Sequence, residues 1–168
     1  MRNKFDVRTL TYLAVITAVT LVLSLLIIIP VPATNGFVTI LDAGIYCAGL
    51  AFGSLGGGVV GGLTGLLIDL ISGYTIWAPF SLVIHGLQGL VYGLIIEKYG
   101  NDNKGMLFAL AIAGLIMVGG YAMANEFLYG GGVGWVSIPS NIVQVGFGSV
   151  VVMLVKNKFL SILKVYSH

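Results

Sequence analysis

The chain has 168 residues, of which 58% are hydrophobic and only 8% charged, with a net charge of +2. Soluble domains carry about 25% charged residues, so this chain cannot dress a water-facing surface, and its mean hydropathy of +1.04 marks it as an integral membrane protein. So small a net charge gives no reason to expect a nucleic-acid partner, and a single cysteine, Cys47, excludes an intramolecular disulfide.

The first apolar run, 9–29, follows Arg2, Lys4 and Arg8. It is too long for the apolar core of a signal peptide, about 7–15 residues, and reads as a first span closed by Pro30 and Pro32. A spanning helix needs about 20 apolar residues. Further candidates are 42–54, ending at Gly56-Gly57-Gly58, and 57–71, closed by Ser72-Gly73. Both are short, and so are tilted or interrupted. Then come 78–96, with Pro79 in a first helical turn, 106–127, and 139–156, opened by Pro139 with Ser137 as N-cap. The expected fold is one all-α membrane domain over 1–168, a bundle of six transmembrane helices.

In that arrangement all eight basic residues share one side: Arg2, Lys4 and Arg8, then Lys98 and Lys104, then Lys156, Lys158 and Lys164. The positive-inside rule puts both termini in the cytoplasm of a bacterial-type plasma membrane. The polar side chains of the spans then gather in the outer half: Asp42, Asp69, His85, Gln88, Asn125, Glu126, Asn141 and Gln144. Ionisable groups within a membrane cost about 2.5–3.5 kcal/mol at mid-bilayer and usually face an interior cavity. A substrate pocket open to the exterior is therefore expected, formed by Asp69, His85, Gln88, Glu126, Asn141 and Gln144. Blander roles stand beside it: Asp42 as an N-cap, Asp69 bonded to a loop amide, His85 and Gln88 as interhelical glue, Glu126 on a solvated rim. The aromatics Tyr74, Trp77, Tyr129 and Trp135 have two readings, a headgroup belt or a stacking wall for a flat ring; Tyr74 and Trp77 join the candidate site.

Glycines recur every four residues at 57, 61 and 65, at 58 and 62, and at 89 and 93, a pattern that lets helix backbones approach closely in lipid. No phosphate-cradling motif, nucleophile elbow or metalloprotease motif occurs, and His85 and His168 are too far apart in sequence to suggest a metal cluster. An enzyme is not expected. A channel would need a polar path through the inner half, which is aliphatic and glycine.

The segments "FVTILDAGIYCAGLAFGSLGGGVVGGLTGLLIDLISGY" (37–74), "WAPFSLVIHGLQGLVYG" (77–93) and "EFLYGG…IPSNIVQVGFG" (126–148), after a basic N-terminus and a first span carrying Ala14 and Ala18, resemble the substrate-binding S components of energy-coupling factor (ECF) vitamin transporters. The riboflavin, hydroxymethylpyrimidine and pyridoxine branch is the nearest in pattern. The resemblance implies a six-helix protein that captures a small heteroaromatic vitamin from outside, binds no cofactor itself, and docks on a membrane-embedded T protein driven by two cytoplasmic ATPases that use ATP. It implies that Ala14 and Ala18 form the T-protein contact and that 30–41 is a gating loop. Hydroxymethylpyrimidine or pyridoxine suits a pocket with no basic residue. The alternatives are a stand-alone proton-coupled carrier and an assembly subunit with no ligand.

Overall fold

The structure, a computed structural model, describes residues 6–165, with side chains as far as Ser161. Arg2, Lys4, His168 and the side chain of Lys164 lie outside the described part. Among the described residues five helices, not six, are long and apolar enough to cross a membrane. They are α1 (Val7–Leu26), α2 (Leu41–Ile71), α3 (Ala78–Tyr99), α4 (Asn103–Tyr129) and α5 (Val133–Val165).

The expected second and third spans are one element, α2, and this corrects the six-helix count. The triple glycine 56–58 does not end a helix. The break lies upstream at Gly53, whose φ of 66° and ψ of −152° fall in a region essentially reserved for glycine. There the helix folds on itself: a methyl group on Gly61 would lie 3.3 Å from Ile45. In a straight helix the 16 positions from 45 to 61 would span about 24 Å. The limbs before and after Gly53 therefore pack against each other, and α2 begins and ends at the same end of the bundle.

The other departures are local. The helix α1 ends at Leu26 rather than 29, because residues before proline are driven out of the helical region. The chain then pairs Ile29 with Val38, Pro30 with Phe37 and Val31 with Gly36, making an antiparallel hairpin of β1 (Ile29–Val31) and β2 (Gly36–Val38) around a 3-10 turn at Pro32–Thr34. Helix α5 starts at Val133, after three left-handed glycines, 130 to 132, so Pro139 is internal rather than an opener. The N–H that Pro139 lacks would have bonded the Trp135 carbonyl. Ser137 is not a cap either, since its hydroxyl donates to the Gly134 carbonyl at 2.7 Å within the helix.

The tightest packing joins α2 to α3. A Cβ on Gly57 would meet the Gly89 carbonyl oxygen at 2.1 Å, and one on Gly89 would meet that of Gly57 at 2.1 Å. A Cβ on Gly61 would meet the His85 carbonyl oxygen at 2.2 Å, and one on Gly65 that of Ser81 at 2.8 Å. The ladder read from the sequence is thus one seam of backbone-to-backbone contact. It fixes the height of His85 and Ser81 against α2. On α1, Leu13, Thr17, Thr20 and Ser24 face inward, while Ala14 and Ala18 are exposed on the outer side.

The described basic residues collect at one end. Arg8 donates to the Tyr12 hydroxyl at 3.2 Å, Tyr12 stacks on Phe52 beside the Gly53 break, and Glu97 accepts from the Ser54 N–H at 3.2 Å. Lys156 donates to Asn103 at 2.6 Å, between the ends of α3 and α4 that carry Lys98 and Lys104. The hairpin lies at the opposite end. Because the seam has no room for side chains, Gly57→Val is expected to lower stability by at least about 1–3 kcal/mol through overpacking. Thermal unfolding in detergent measures this, with Gly119→Ala as the control, since a Cβ at Gly119 meets nothing within 4 Å. Equal melting temperatures for the two variants would contradict the seam.

Candidate functional site

Beneath the hairpin, at the end away from the lysines, a cavity opens among α2, α3, α4 and α5. Its floor and walls carry Asp69, Ser81, His85, Tyr121, Asn125 and Asn141, and Phe37 and Thr34 of the hairpin region close it from above. The cavity is small, about 40 Å³.

Of the residues expected from sequence, Asp69, Trp77, His85, Asn141 and Gln144 line this cavity, and all five are buried. Trp77 serves as wall and latch, its indole N–H donating to the Asn35 carbonyl at 3.1 Å and so tying α3 to the hairpin turn. Asn35 takes the left-handed φ of 48° that a tight turn requires. The structure does not bring Gln88, Glu126 or Tyr74 to the lining. Gln88 lies fully buried behind His85. Glu126 is exposed and accepts from the Gly132 and Gly134 N–H groups at 3.3 and 3.2 Å, which binds the α4–α5 turn. Tyr74 packs edge-on against Phe37, 4.7 Å between centroids, from outside the cavity. Among the loop aromatics, Trp135 is 76% exposed, consistent with a lipid-facing belt rather than a pocket.

Asp42 does not cap its helix. It is fully buried and receives two amide donors, Gln88 Nε2 on Oδ1 and Gln144 Nε2 on Oδ2, the latter at 2.7 Å. Gln144 Oε1 accepts from the Thr39 N–H at 2.7 Å, just after β2. Gln88 also donates to the Tyr46 hydroxyl at 2.9 Å and presents Oε1 to His85 Nδ1 at 2.7 Å. One carboxylate thus joins α2, α3, α5 and the hairpin. Two further buried oxygens at the cavity have no partner in the protein, Asp69 Oδ2 and Asn125 Oδ1; the Asn125 amide nitrogen donates to the Tyr121 carbonyl at 2.9 Å.

Sequence reasoning singled out neither Tyr121 nor Met117, and placed Asn125 among the polar groups without assigning it to the site. Met117, Tyr121 and Asn125 recur every four residues on α4, as Ser137, Asn141 and Gln144 do at four and three on α5. Helical spacing was therefore the available signal. The Ser81 hydroxyl, 2.6 Å from that of Tyr121, stands one turn before His85 on the same face.

A bundle of membrane-crossing helices that encloses a small polar cavity under one rim defines a solute-binding membrane protein. The family described as "ECF-type riboflavin transporter, S component" matches residues 4–159, and the chain belongs to that family. Its members are substrate-binding components of transporters, not catalysts. The chain is 40% identical over 151 residues to the "Thiamine precursor transporter HmpT" of Lactococcus lactis subsp. cremoris (strain MG1363), covering 89% of this chain and 86% of that protein. It is 37% identical over 131 residues to an "Uncharacterized protein in gap 3'region" of Pyrococcus woesei, covering 77% of this chain and 86% of that protein.

Removing the Asp42 carboxylate strands two buried amide groups, each costing about 1–3 kcal/mol when unsatisfied. Asp42→Ala is therefore expected to destabilise the protein by at least about 2 kcal/mol in detergent unfolding. A melting curve superimposable on the wild type would remove Asp42 from its linking role.

Proposed function

We propose that this chain is the S component that captures hydroxymethylpyrimidine, a single-ring thiamine precursor, from outside the cell and hands it to an ECF transport module. The observation that carries the reading is the lining of the cavity under the hairpin. It offers neutral and acidic polar groups and no lysine or arginine. A phosphorylated ligand would find no counter-charge there. The Lactococcus relative, a thiamine precursor transporter by name, points the same way.

The charge distribution supports an outward-facing cavity. Arg8, Lys98, Lys104 and Lys156 stand at the end opposite the hairpin, and the positive-inside rule assigns that end to the cytoplasm. Delivery then requires partners: a membrane-embedded T protein and two cytoplasmic ATPases, which supply the ATP chemistry that this chain lacks. Ala14 and Ala18, exposed on α1, are small enough for a partner helix to approach closely, and we assign the T-protein contact to them. His85, Asp69, Trp77, Asn141 and Gln144 are the substrate-binding residues of this proposal.

Purified protein is expected to bind hydroxymethylpyrimidine in titration calorimetry, and His85→Ala to weaken that binding at least about tenfold, or 1.4 kcal/mol. Unchanged affinity would remove His85 from the site, and no binding by the wild type would sink the substrate assignment. Ala14→Trp is expected to keep binding intact while abolishing co-purification with the T protein; retained co-purification would refute the docking role. Reconstituted alone in vesicles, the chain is expected to give no uptake under a proton gradient, and uptake there would favour a self-sufficient carrier.

A further inference from the structure

We infer that backbone groups, acting through Gln144, Asp42 and Gln88, fix the hydrogen-bonding polarity of the cavity, so that it accepts from its ligand and selects amino-pyrimidines over their oxo counterparts. The inference rests on the small-ring reading above and deepens it. It starts from the Thr39 N–H, which can only donate. Gln144 must therefore turn its oxygen to Thr39, at 2.7 Å, and its nitrogen to Asp42, also at 2.7 Å. The Asp42 carboxylate accepts on its other oxygen too, so Gln88 must present its nitrogen to Asp42 and to the Tyr46 hydroxyl, and its oxygen to His85. His85 Nδ1, 2.7 Å from that oxygen, must then carry the proton. In a neutral imidazole this leaves Nε2 as an acceptor, and with Nδ1 committed to Gln88, Nε2 is what His85 offers the cavity.

A second chain of the same kind runs on α4. The Tyr121 carbonyl can only accept, so Asn125 donates to it through Nδ2 at 2.9 Å. The amide oxygen is left over, buried and without a protein partner, at the cavity. Asp69 Oδ2 is a further buried oxygen at the cavity without a protein partner. Two acceptors that lack donors, His85 Nε2 and Asn125 Oδ1, are matched by a ligand with an exocyclic amino group. A ring carbonyl at the same place would face lone pairs, and sites built for one hydrogen-bonding pattern reject the other strongly. Asp42 and Gln88 touch no ligand in this scheme; they are positioning residues for the His85 tautomer.

The test has two arms. Nitrogen-15 NMR of histidine-labelled protein, with His168→Ala leaving one histidine, is expected to show His85 protonated at Nδ1 and bare at Nε2. Titration is expected to show 4-amino-5-hydroxymethyl-2-methylpyrimidine binding at least about tenfold tighter than its 4-oxo counterpart, with Gln88→Met reducing that ratio. A proton on Nε2, or equal or tighter binding of the oxo compound, would overturn the inference. If neither pyrimidine binds, the small-ring reading fails, while the tautomer arm still decides the polarity by itself.

Discussion

A carboxylate sealed inside a membrane protein is the constraint around which the binding end is organised. Charged groups in that setting are expensive unless paired or fully hydrogen-bonded. Asp42 is satisfied by two glutamine amides from two different helices, α3 and α5. Each amide then has one end left to place, and each places it usefully: Gln144 on the backbone after the hairpin, Gln88 on the histidine of the cavity. Partly satisfied networks of this kind are costlier than an apolar core, whereas fully satisfied ones impose a single arrangement. The network therefore does for the binding end what a metal or disulfide does in other small domains.

The glycine seam makes that network possible. Asp42 lies on the first limb of α2 and Gln88 on α3, so the two meet only if α2 and α3 lie in near-contact. With Gly57 against Gly89 and Gly61 against the His85 carbonyl, there are no side chains to hold the helices apart. Lipid supplies little hydrophobic drive between helices, so close packing and internal hydrogen bonds carry the association. The seam and the network are in this sense one device, backbone contact in the middle of the bundle and hydrogen bonds at its hairpin end.

The two ends of the molecule carry different chemistry. The hairpin, anchored by Trp77 on Asn35, by Tyr74 on Phe37 and by Gln144 on Thr39, roofs a cavity in need of donors. The other end gathers the lysines around the Gly53 break and the α3–α4 turn. Helix α1 contributes Arg8 and Tyr12 to the basic end and nothing to the cavity: it packs through Leu13, Thr17, Thr20 and Ser24 and presents its remaining surface outward. That separation leaves one helix face available for a partner without disturbing the ligand site.

Composition and charge order were enough to determine the solvent, the helical class, the gathering of basic residues at one end and the polar set that converges at the other. Each follows from local quantities, hydropathy over a window and the order of charges along the chain. The polar residues of the site were legible as types, but their roles were not: Glu126 and Gln88 look alike as candidates, yet one ties a turn and the other stands behind His85. The helix count failed for a related reason. A glycine-rich run reads as a boundary when it is in fact a packing face, and the true break, Gly53, has no neighbouring signal to distinguish it. Only the tertiary structure decided these points, because a hydrogen bond between Asp42 and Gln144, or contact between Gly57 and Gly89, depends on distances across the bundle that no local pattern encodes.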